Sequence, residues 1–511
     1  MVGLSGLDSK TIFKSRLLRI NLTDIPYKKL SKMKKPTLLP AALKNVYDPT
    51  AFRQLAHEMV DQLADHLEQM QCDTPGKVIK YQSPAAALEF WQKHLDGDQN
   101  ITETFSAIFA DSIKVHHPNY IGHQVSVPAP IASIAGMLSD LLNNGTGVYE
   151  MGMASNALEK IITDLVNQEI GFPETAGGFM TSGGTLANLT SLLAARKANV
   201  IGDVWETGHD EPLAIMVSEA SHYCIDRAAR IMGLGTKGII KVPTDNQFRI
   251  RTDLLSAYLA KAKSDGLKVF AIIGCACSTA TGSYDDLEAI ADFSEANNLW
   301  FHVDGAHGGG VVFSKKYRKK VNGMKRADSV VIDFHKMLLT PALTTALLFK
   351  NELDSYKTFS QQAAYLWNAE QAQEWYHSGK RTFECTKLMM SVKVYAILKA
   401  YGKDIFGANY DHLYDLARSF ANIINTHPDF KLLLEPASNI INFRYQPDTK
   451  QDLNLLNESI QKILVEQGNF YIVSVLIAGT RYLRCSVMNP FTNEIVFENL
   501  LKEIRCIGNQ S

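Results

Sequence analysis

Two short apolar runs constrain this chain more than anything else in it. Leu299 to Val303 runs into Asp304-Gly305-Ala306, and Ser329 to Ile332 runs into Asp333-Phe334-His335-Lys336. Runs of four or five residues bounded by charged or small residues have the length of buried strands and are too short for helices. They sit inside a longer alternation. Strands are predicted at Leu213–Val217, Gly238–Val242, Val269–Cys275, Leu299–Val303, Ser329–Ile332 and Thr344–Phe349, with helices at Ser221–Met232, Arg251–Asp265 and Leu287–Asn297. That order implies an α/β fold with a mostly parallel sheet and helices on both faces.

The rest of the chain divides around this block. Residues 1–36 form a basic extension, which reads either as a solvated arm or as a membrane-surface or partner helix. Residues 37–105 form a helical segment, with an amphipathic helix over 48–70. Residues 106–380 form the large domain, with helices at Ile131–Leu142 and Ala157–Ile170. Residues 381–511 form a smaller α+β domain, with a long helix over Glu384–Tyr401 and strands such as Leu432–Leu434, Ile440–Tyr445 and Tyr482–Val487. A net charge of -1 gives no electrostatic case for nucleic acid. No apolar run approaches the roughly 20 residues that span a bilayer. The seven cysteines make no zinc pattern and read as free thiols of a reducing, cytoplasmic compartment.

Open α/β sheets bind ligands beyond the carboxyl ends of their strands. Asp304 and Lys336 are both delivered there. Pyridoxal phosphate (PLP) needs such a pair: a lysine for its aldehyde and a carboxylate for its pyridine nitrogen. Each residue alone is equally consistent with a helix-capping Asp and a surface Lys. Burial and a neighbouring cofactor predict a lowered pKa for Lys336. The run from Gly177 to Asn188, ahead of a helix predicted at Leu189–Asn199, reads as a glycine-rich anion-binding turn, with hydroxyls from Thr181, Ser182 and Thr185. It lacks the lysine of a nucleotide-triphosphate loop. His116, His117 and His123 have no carboxylate at ligand spacing, so no metal site is expected and a polar loop facing a pocket is.

Taken together, the glycine turn, His222, Thr279, His302-Val303-Asp304-Gly305-Ala306 and His335-Lys336 resemble the group II PLP-dependent decarboxylases over about residues 50–500. That family includes the aromatic-amino-acid, glutamate, histidine and diaminobutyrate enzymes. The resemblance implies fold type I of the PLP-dependent transferases and a homodimer. It implies Lys336 as the Schiff-base lysine, Asp304 as partner of the pyridine nitrogen and His222 as the stacking histidine. Gly183, Gly184 and Thr185 resemble the phosphate cradle. Thr279, Ala306 and His335 resemble further cofactor contacts. Tyr365, followed by Leu366, resembles the lid tyrosine that reprotonates the substrate carbon. Arg484, in Tyr482-Leu483-Arg484-Cys485, resembles the arginine that glutamate decarboxylases place against the substrate α-carboxylate.

The chain departs from the family at two places. Asp333 stands where an Asn commonly assists the phosphate, and a carboxylate there repels a dianion unless it turns away. His307 replaces an aromatic residue, which argues against an aromatic substrate. With His123, Gln124, Ser126 and His307, the pocket leans toward a small polar or acidic amino acid. The expected activity is decarboxylation of an L-amino acid to the amine. The alternatives are another PLP-dependent carbon-carbon lyase, a decarboxylating aldehyde synthase, an aminotransferase, or a catalytically silent dimeric scaffold, which would be expected to have lost Lys336 or Asp304.

Overall fold

The computed structural model describes residues 39–72, 76–202, 204–359, 374–448 and 450–510. The basic extension and Tyr365 lie outside the described residues. The chain divides into two compact units, Met1–Asp61 and Gln62–Ser511. In the first, the described residues form the helix Ala41–Val46 and the opening of the helix Pro49–Gln69. The second unit carries both sheets.

The larger sheet is built from β1 (Gly177–Thr181), β2 (Leu213–Ser218), β3 (Ile239–Val242), β4 (Lys268–Cys275), β5 (Trp300–Asp304), β6 (Ser329–Asp333) and β7 (Thr345–Phe349). Their spatial order is β1-β7-β6-β5-β4-β2-β3. Pairings among β2 to β6 are parallel, while β7 runs antiparallel to β6 and β1. The central strands are largely apolar because both faces are covered. Val331, Leu347 and Phe349 pack with Ala187, Leu192 and Ile225 from the helices Gly184–Asn199 and Tyr223–Ile231. Val330, Ile332, Ala346 and Leu348 point the other way, toward Leu255, Leu259 and Ile290 from the helices Leu255–Ser264 and Leu287–Asn297. Fully burying each such side chain is worth about 1.5–3 kcal/mol, so the strand ends that carry the site are held by a deep two-sided core.

Past the large sheet, β8 (Phe430–Leu432), β9 (Ile440–Tyr445), β10 (Val473–Ile477) and β11 (Thr480–Ser486) form a four-stranded antiparallel sheet in the order β10-β11-β9-β8. The helices Asp404–Thr426, Leu453–Gln467 and Glu494–Gln510 accompany it. No described helix is long and apolar enough to cross a membrane.

Two local expectations change. The glycine-rich run is not one loop. Gly177–Thr181 is strand β1, and its glycines allow close packing: a Cβ on Gly177 would meet the Glu352 side chain at 2.5 Å, and one on Gly178 the Leu347 carbonyl at 2.7 Å. Only Ser182 and Gly183 turn, Gly183 at φ +109°, and the helix begins at Gly184 rather than Leu189. The helix expected from Glu384 begins at Met390. The residues before it are drawn into tertiary contacts instead. Glu384 accepts from Ser182 Oγ at 2.7 Å and Thr181 Oγ1 at 3.0 Å, and buried Lys387 donates to Glu159 Oε1 at 2.7 Å and to the Met180 carbonyl at 2.6 Å.

Candidate active site

The site is assembled from neighbouring strand ends. Cys275, the last residue of β4, pairs in register with Asp304, the last of β5, and Asp304 pairs with Val331 of β6. Side chains alternate along a strand, so Asp333, two residues past Val331, projects from the same face as Asp304 and Cys275. That face is the one covered by the Gly184–Asn199 helix. Beyond the strand ends lies a cavity of about 330 Å³. Its walls hold Gly183, Gly184 and Thr185 from the turn, His222, Thr279, Asp304 and Ala306, and His335 and Lys336. Nine residues scattered over 154 positions of chain thus face one space, because each follows the carboxyl end of a strand.

Lys336 Nζ lies 3.2 Å from Asp333 Oδ2. Asp333 is 3% exposed and also accepts from Thr345 Oγ1 at 2.5 Å. Burial pulls the Lys336 ammonium down, but the carboxylates of Asp333 and Asp304 outweigh it, and the net direction is up. This corrects the expectation of a lowered pKa. The sequence shows burial, but not that two anions end beside the lysine.

Asp304 Oδ1 accepts from Ala306 N–H at 3.2 Å, which fixes the carboxylate within the turn it begins. His222 caps the helix Tyr223–Ile231, its Nδ1 accepting from Cys224 N–H at 3.3 Å. The cap leaves the proton of the neutral ring on Nε2. Burial depresses the His222 pKa against the opposing pull of Asp304. Capping and cavity-lining are here the same residue.

At the other end of the cavity, the first turn of the Gly184–Asn199 helix presents N–H groups that have no partner within the helix. A Cβ on Gly184 would stand 3.2 Å from Asp333 Oδ2 and 3.3 Å from Ala306 Cβ, so the cradle is tight for any larger residue. Of the hydroxyls expected to line this turn, Thr181 and Ser182 are held by Glu384, and Thr185 faces the cavity.

His123, Gln124 and Arg484 do not line the cavity itself. They stand behind its wall, where Ser126 N–H donates to the His335 carbonyl at 3.1 Å. Arg484, on β11 and 8% exposed, donates from Nη2 to Gln124 Oε1 at 3.0 Å and to Ser486 Oγ at 3.2 Å. Its Nε, together with Gln124 Nε2 and Ser126 Oγ, is buried without a hydrogen-bond partner. His123 tilts against Tyr471, ring centroids 5.8 Å apart. His307 is in the wall and fully buried, with Nε2 2.8 Å from Asn439 Oδ1. Burial, reinforced by Lys336 and Arg484, lowers its pKa to about 3, so the ring is neutral.

Sequence reasoning did not nominate Asn188, Cys224, Cys275, Cys277 and Ser278, which also line the cavity. Cys275 ends a predicted strand, and that position is the signal that could have found it. Asn188 and Cys224 reach the space only through helix packing. His116 and His117 turn their Nε2 atoms to the carbonyls of Pro128 and Gly76.

The donor set suits PLP on observations of its own. A tight, glycine-lined cradle at a helix N-terminus matches a phosphate. A buried carboxylate, Asp304, matches a pyridinium, and the Lys336 amine matches the aldehyde. Asp333, and Glu384, which holds Thr181 and Ser182 of the same turn, are groups of the wrong sign for a phosphate.

Comparison with known proteins agrees. The family model described as the pyridoxal-dependent decarboxylase conserved domain matches residues 80–446. The aromatic-L-amino-acid decarboxylase of Bacillus atrophaeus is 25% identical over 468 residues, 90% of this chain and 95% of that one. The aspartate 1-decarboxylase of Aliivibrio fischeri is 27% identical over 453 residues, 79% of this chain and 82% of that one. The crystal structure of mouse CSAD superposes with a TM-score of 0.83 at 24% identity, covering 90% of this chain and 99% of that one, a likeness of fold. The relatives' names span aromatic and acidic substrates.

Proposed function

This chain belongs to the pyridoxal-dependent decarboxylase family and is a PLP-dependent carboxy-lyase acting on an L-amino acid, and from that premise we propose that its substrate is a small amino acid with a polar or acidic side chain. The observation that carries the proposal is Arg484. A buried guanidinium is costly unless it is paired, yet among the described residues its hydrogen bonds go to the neutral Gln124 and Ser486. Its charge bears on His307 and Cys277, both in the cavity wall. Such a cation, with donors on Arg484 and Gln124 that no described residue takes up, fits a carboxylate on the substrate's side chain, rather than the α-carboxylate that the resemblance implies for it. Neutral His307 adds a polar edge where a flat aromatic surface would favour an aromatic side chain.

We assign the roles as follows. When bound, the cofactor would supply a protonated pyridine ring as a sink for electrons. Asp304 would hold the proton on the ring nitrogen by favouring its charged form. Lys336 would supply the amine that holds the cofactor's aldehyde. Gly183, Gly184 and Thr185 hold the phosphate through backbone N–H groups and a hydroxyl. Thr279, Ala306 and His335 complete the cofactor contacts. His222, neutral and carrying a proton on Nε2, assists return of a proton to the substrate carbon, with Tyr365 as donor. His123 and Gln124 stand with Arg484 on the substrate side.

A homodimer fits the surface. Ile134, Met137, Leu138 and Leu141 are each about half exposed along one helix, Pro130–Leu142, and Leu343 in the cavity wall is 52% exposed. A contiguous apolar face of this kind is a protein–protein contact, and a second copy is the occupant we assign to it. Cytoplasmic residence fits seven free thiols. Release of CO2, measured across the common amino acids and cysteine sulfinate, tests the substrate. Preference for aspartate, glutamate or cysteine sulfinate supports the assignment, and preference for tyrosine or tryptophan overturns it.

A further inference from the structure

Asp333 lines the cavity without a part in the roles assigned above, and its surroundings are specific. Its Oδ2 lies 3.2 Å from Lys336 Nζ and 3.6 Å from His335 Nε2. Its Oδ1 is held by the Thr345 hydroxyl, so the carboxylate cannot simply swing out. Both oxygens face Gly184, the first residue of the helix whose N-terminus is the anion cradle: a Cβ there would come within 3.2 and 3.3 Å of them. The charged and titratable groups bearing on Asp333 are His335 and Lys336 from its own loop, His222 and Cys224 from the Tyr223–Ile231 helix and its cap, and Tyr410 from the Asp404–Thr426 helix. Asp304 of β5 shares Lys336 with it.

We propose that Asp333 is a resident anion that gates cofactor capture, holding Lys336 as an ammonium while its own charge opposes the phosphate at the neighbouring cradle. The inference rests on the reading of this site as the PLP site. Before capture, Asp333 gives the Lys336 ammonium a counter-ion at 3.2 Å inside the buried cavity. This spares the protein an unpaired buried ammonium, which would be costly. It also disfavours capture twice over. An ammonium is not a nucleophile, so an Nζ–H bond must break, its proton passing to solvent and the electron pair staying on nitrogen, before the amine can add to an aldehyde with loss of water. And a dianion entering beside a fixed carboxylate is repelled in a site where water screens little. Asp333 is therefore a positioning residue for the lysine and a selectivity element for the phosphate.

The experiment uses the full chain stripped of cofactor, with Asp333→Asn, which keeps the shape and removes the charge. Two unreactive probes separate the effects: pyridoxine 5'-phosphate, which has the phosphate but no aldehyde, and pyridoxine, which has neither. Calorimetry is expected to show pyridoxine 5'-phosphate bound about tenfold or more tightly by the Asn variant, with pyridoxine unchanged. The rate of PLP capture, followed by its absorbance, rises with pH as Lys336 loses its proton. Without its counter-ion the lysine titrates lower, so this rise should move down by about one pH unit or more. Equal or weaker phosphate affinity in a folded Asn variant, or an unmoved capture profile, overturns the gate while leaving the PLP site intact. If the wild-type chain binds neither pyridoxine 5'-phosphate nor PLP, the reading of the site falls with it. Should the Asn variant not fold, Asp333→Ser is read by the same criteria.

Discussion

His302 Nε2 donates to Asn188 Oδ1 at 2.7 Å, tying the strand that ends in Asp304 to the helix that opens at Gly184. The direction of the bond follows from its neighbours. Asn188 Nδ2 faces Cys224 Sγ at 3.4 Å, so the amide oxygen faces the ring, while His302 Nδ1 accepts from one of two hydroxyls that bond each other at 2.7 Å, Ser191 at 2.8 Å and Ser329 at 2.9 Å. The ring is fully buried and neutral, its pKa lowered to about 4 by that burial. One bond thus fixes the spacing between the two ends of the cofactor cavity.

This arrangement has a pH signature. An unfolded histidine titrates near 6.5, so as pH falls from 6.5 toward 4 the unfolded chain takes a proton that the folded one refuses. The stability contributed by neutral His302 is whole above 6.5 and is lost over that window, at about 1.4 kcal/mol per pH unit. His302→Gln should therefore be less stable at pH 7.5 yet lose less on acidification. Urea unfolding of both proteins at pH 7.5, 6 and 5 measures the difference in slope. Parallel slopes would mean that His302 is not held neutral.

Lys336→Ala should leave the fold intact and abolish turnover. Its PLP should be lost on dialysis, and borohydride should fix none of it to the chain. An Ala variant with substantial activity would remove Lys336 from the reaction altogether.

Asp304→Asn keeps the size and removes the charge. Charge placement of this kind supplies several kcal/mol, so kcat should fall about 100-fold or more. The cofactor absorbance should change as the ring nitrogen loses its proton. A near wild-type kcat would reduce Asp304 to a turn-forming residue through its bond to Ala306.

Arg484→Gln should raise KM for an acidic substrate about tenfold or more, the worth of one charge-assisted pair. PLP should still bind, because Arg484 does not line the cavity. Steady-state kinetics alongside cofactor absorbance tests both halves. An unchanged KM with an acidic substrate would return Arg484 to a structural role with Gln124.

Tyr365→Phe removes a hydroxyl needed only after CO2 has left. Release of CO2 should persist while amine falls and aldehyde, ammonia and peroxide rise. If Tyr365 serves only to pack its segment, amine and CO2 will keep their normal ratio. Quantifying both products in one reaction decides between these outcomes.

Much of the site was legible in the chain itself. Strands buried on both faces must be short and apolar, so β2 to β7 could be read from hydrophobic runs, and a parallel sheet gathers ligands at its strand ends. Asp304, Lys336, His222, Thr279 and the Gly183-Gly184-Thr185 turn followed from that rule and from the order of motifs. What lies along the chain, namely period, punctuation and strand ends, is a local property, and local sequence records it. Tertiary structure decided what depends on charges and packing brought together from afar. Gly177 and Gly178 serve strand packing rather than a ligand, Glu384 and Lys387 leave a helix for partners more than 200 residues away, and Arg484 meets Gln124 across 360 residues. The sign of the Lys336 shift belongs there as well. Burial alone argues for a lower pKa, and only the fold sets Asp333 and Asp304 beside the amine, where their attraction outweighs the loss of water.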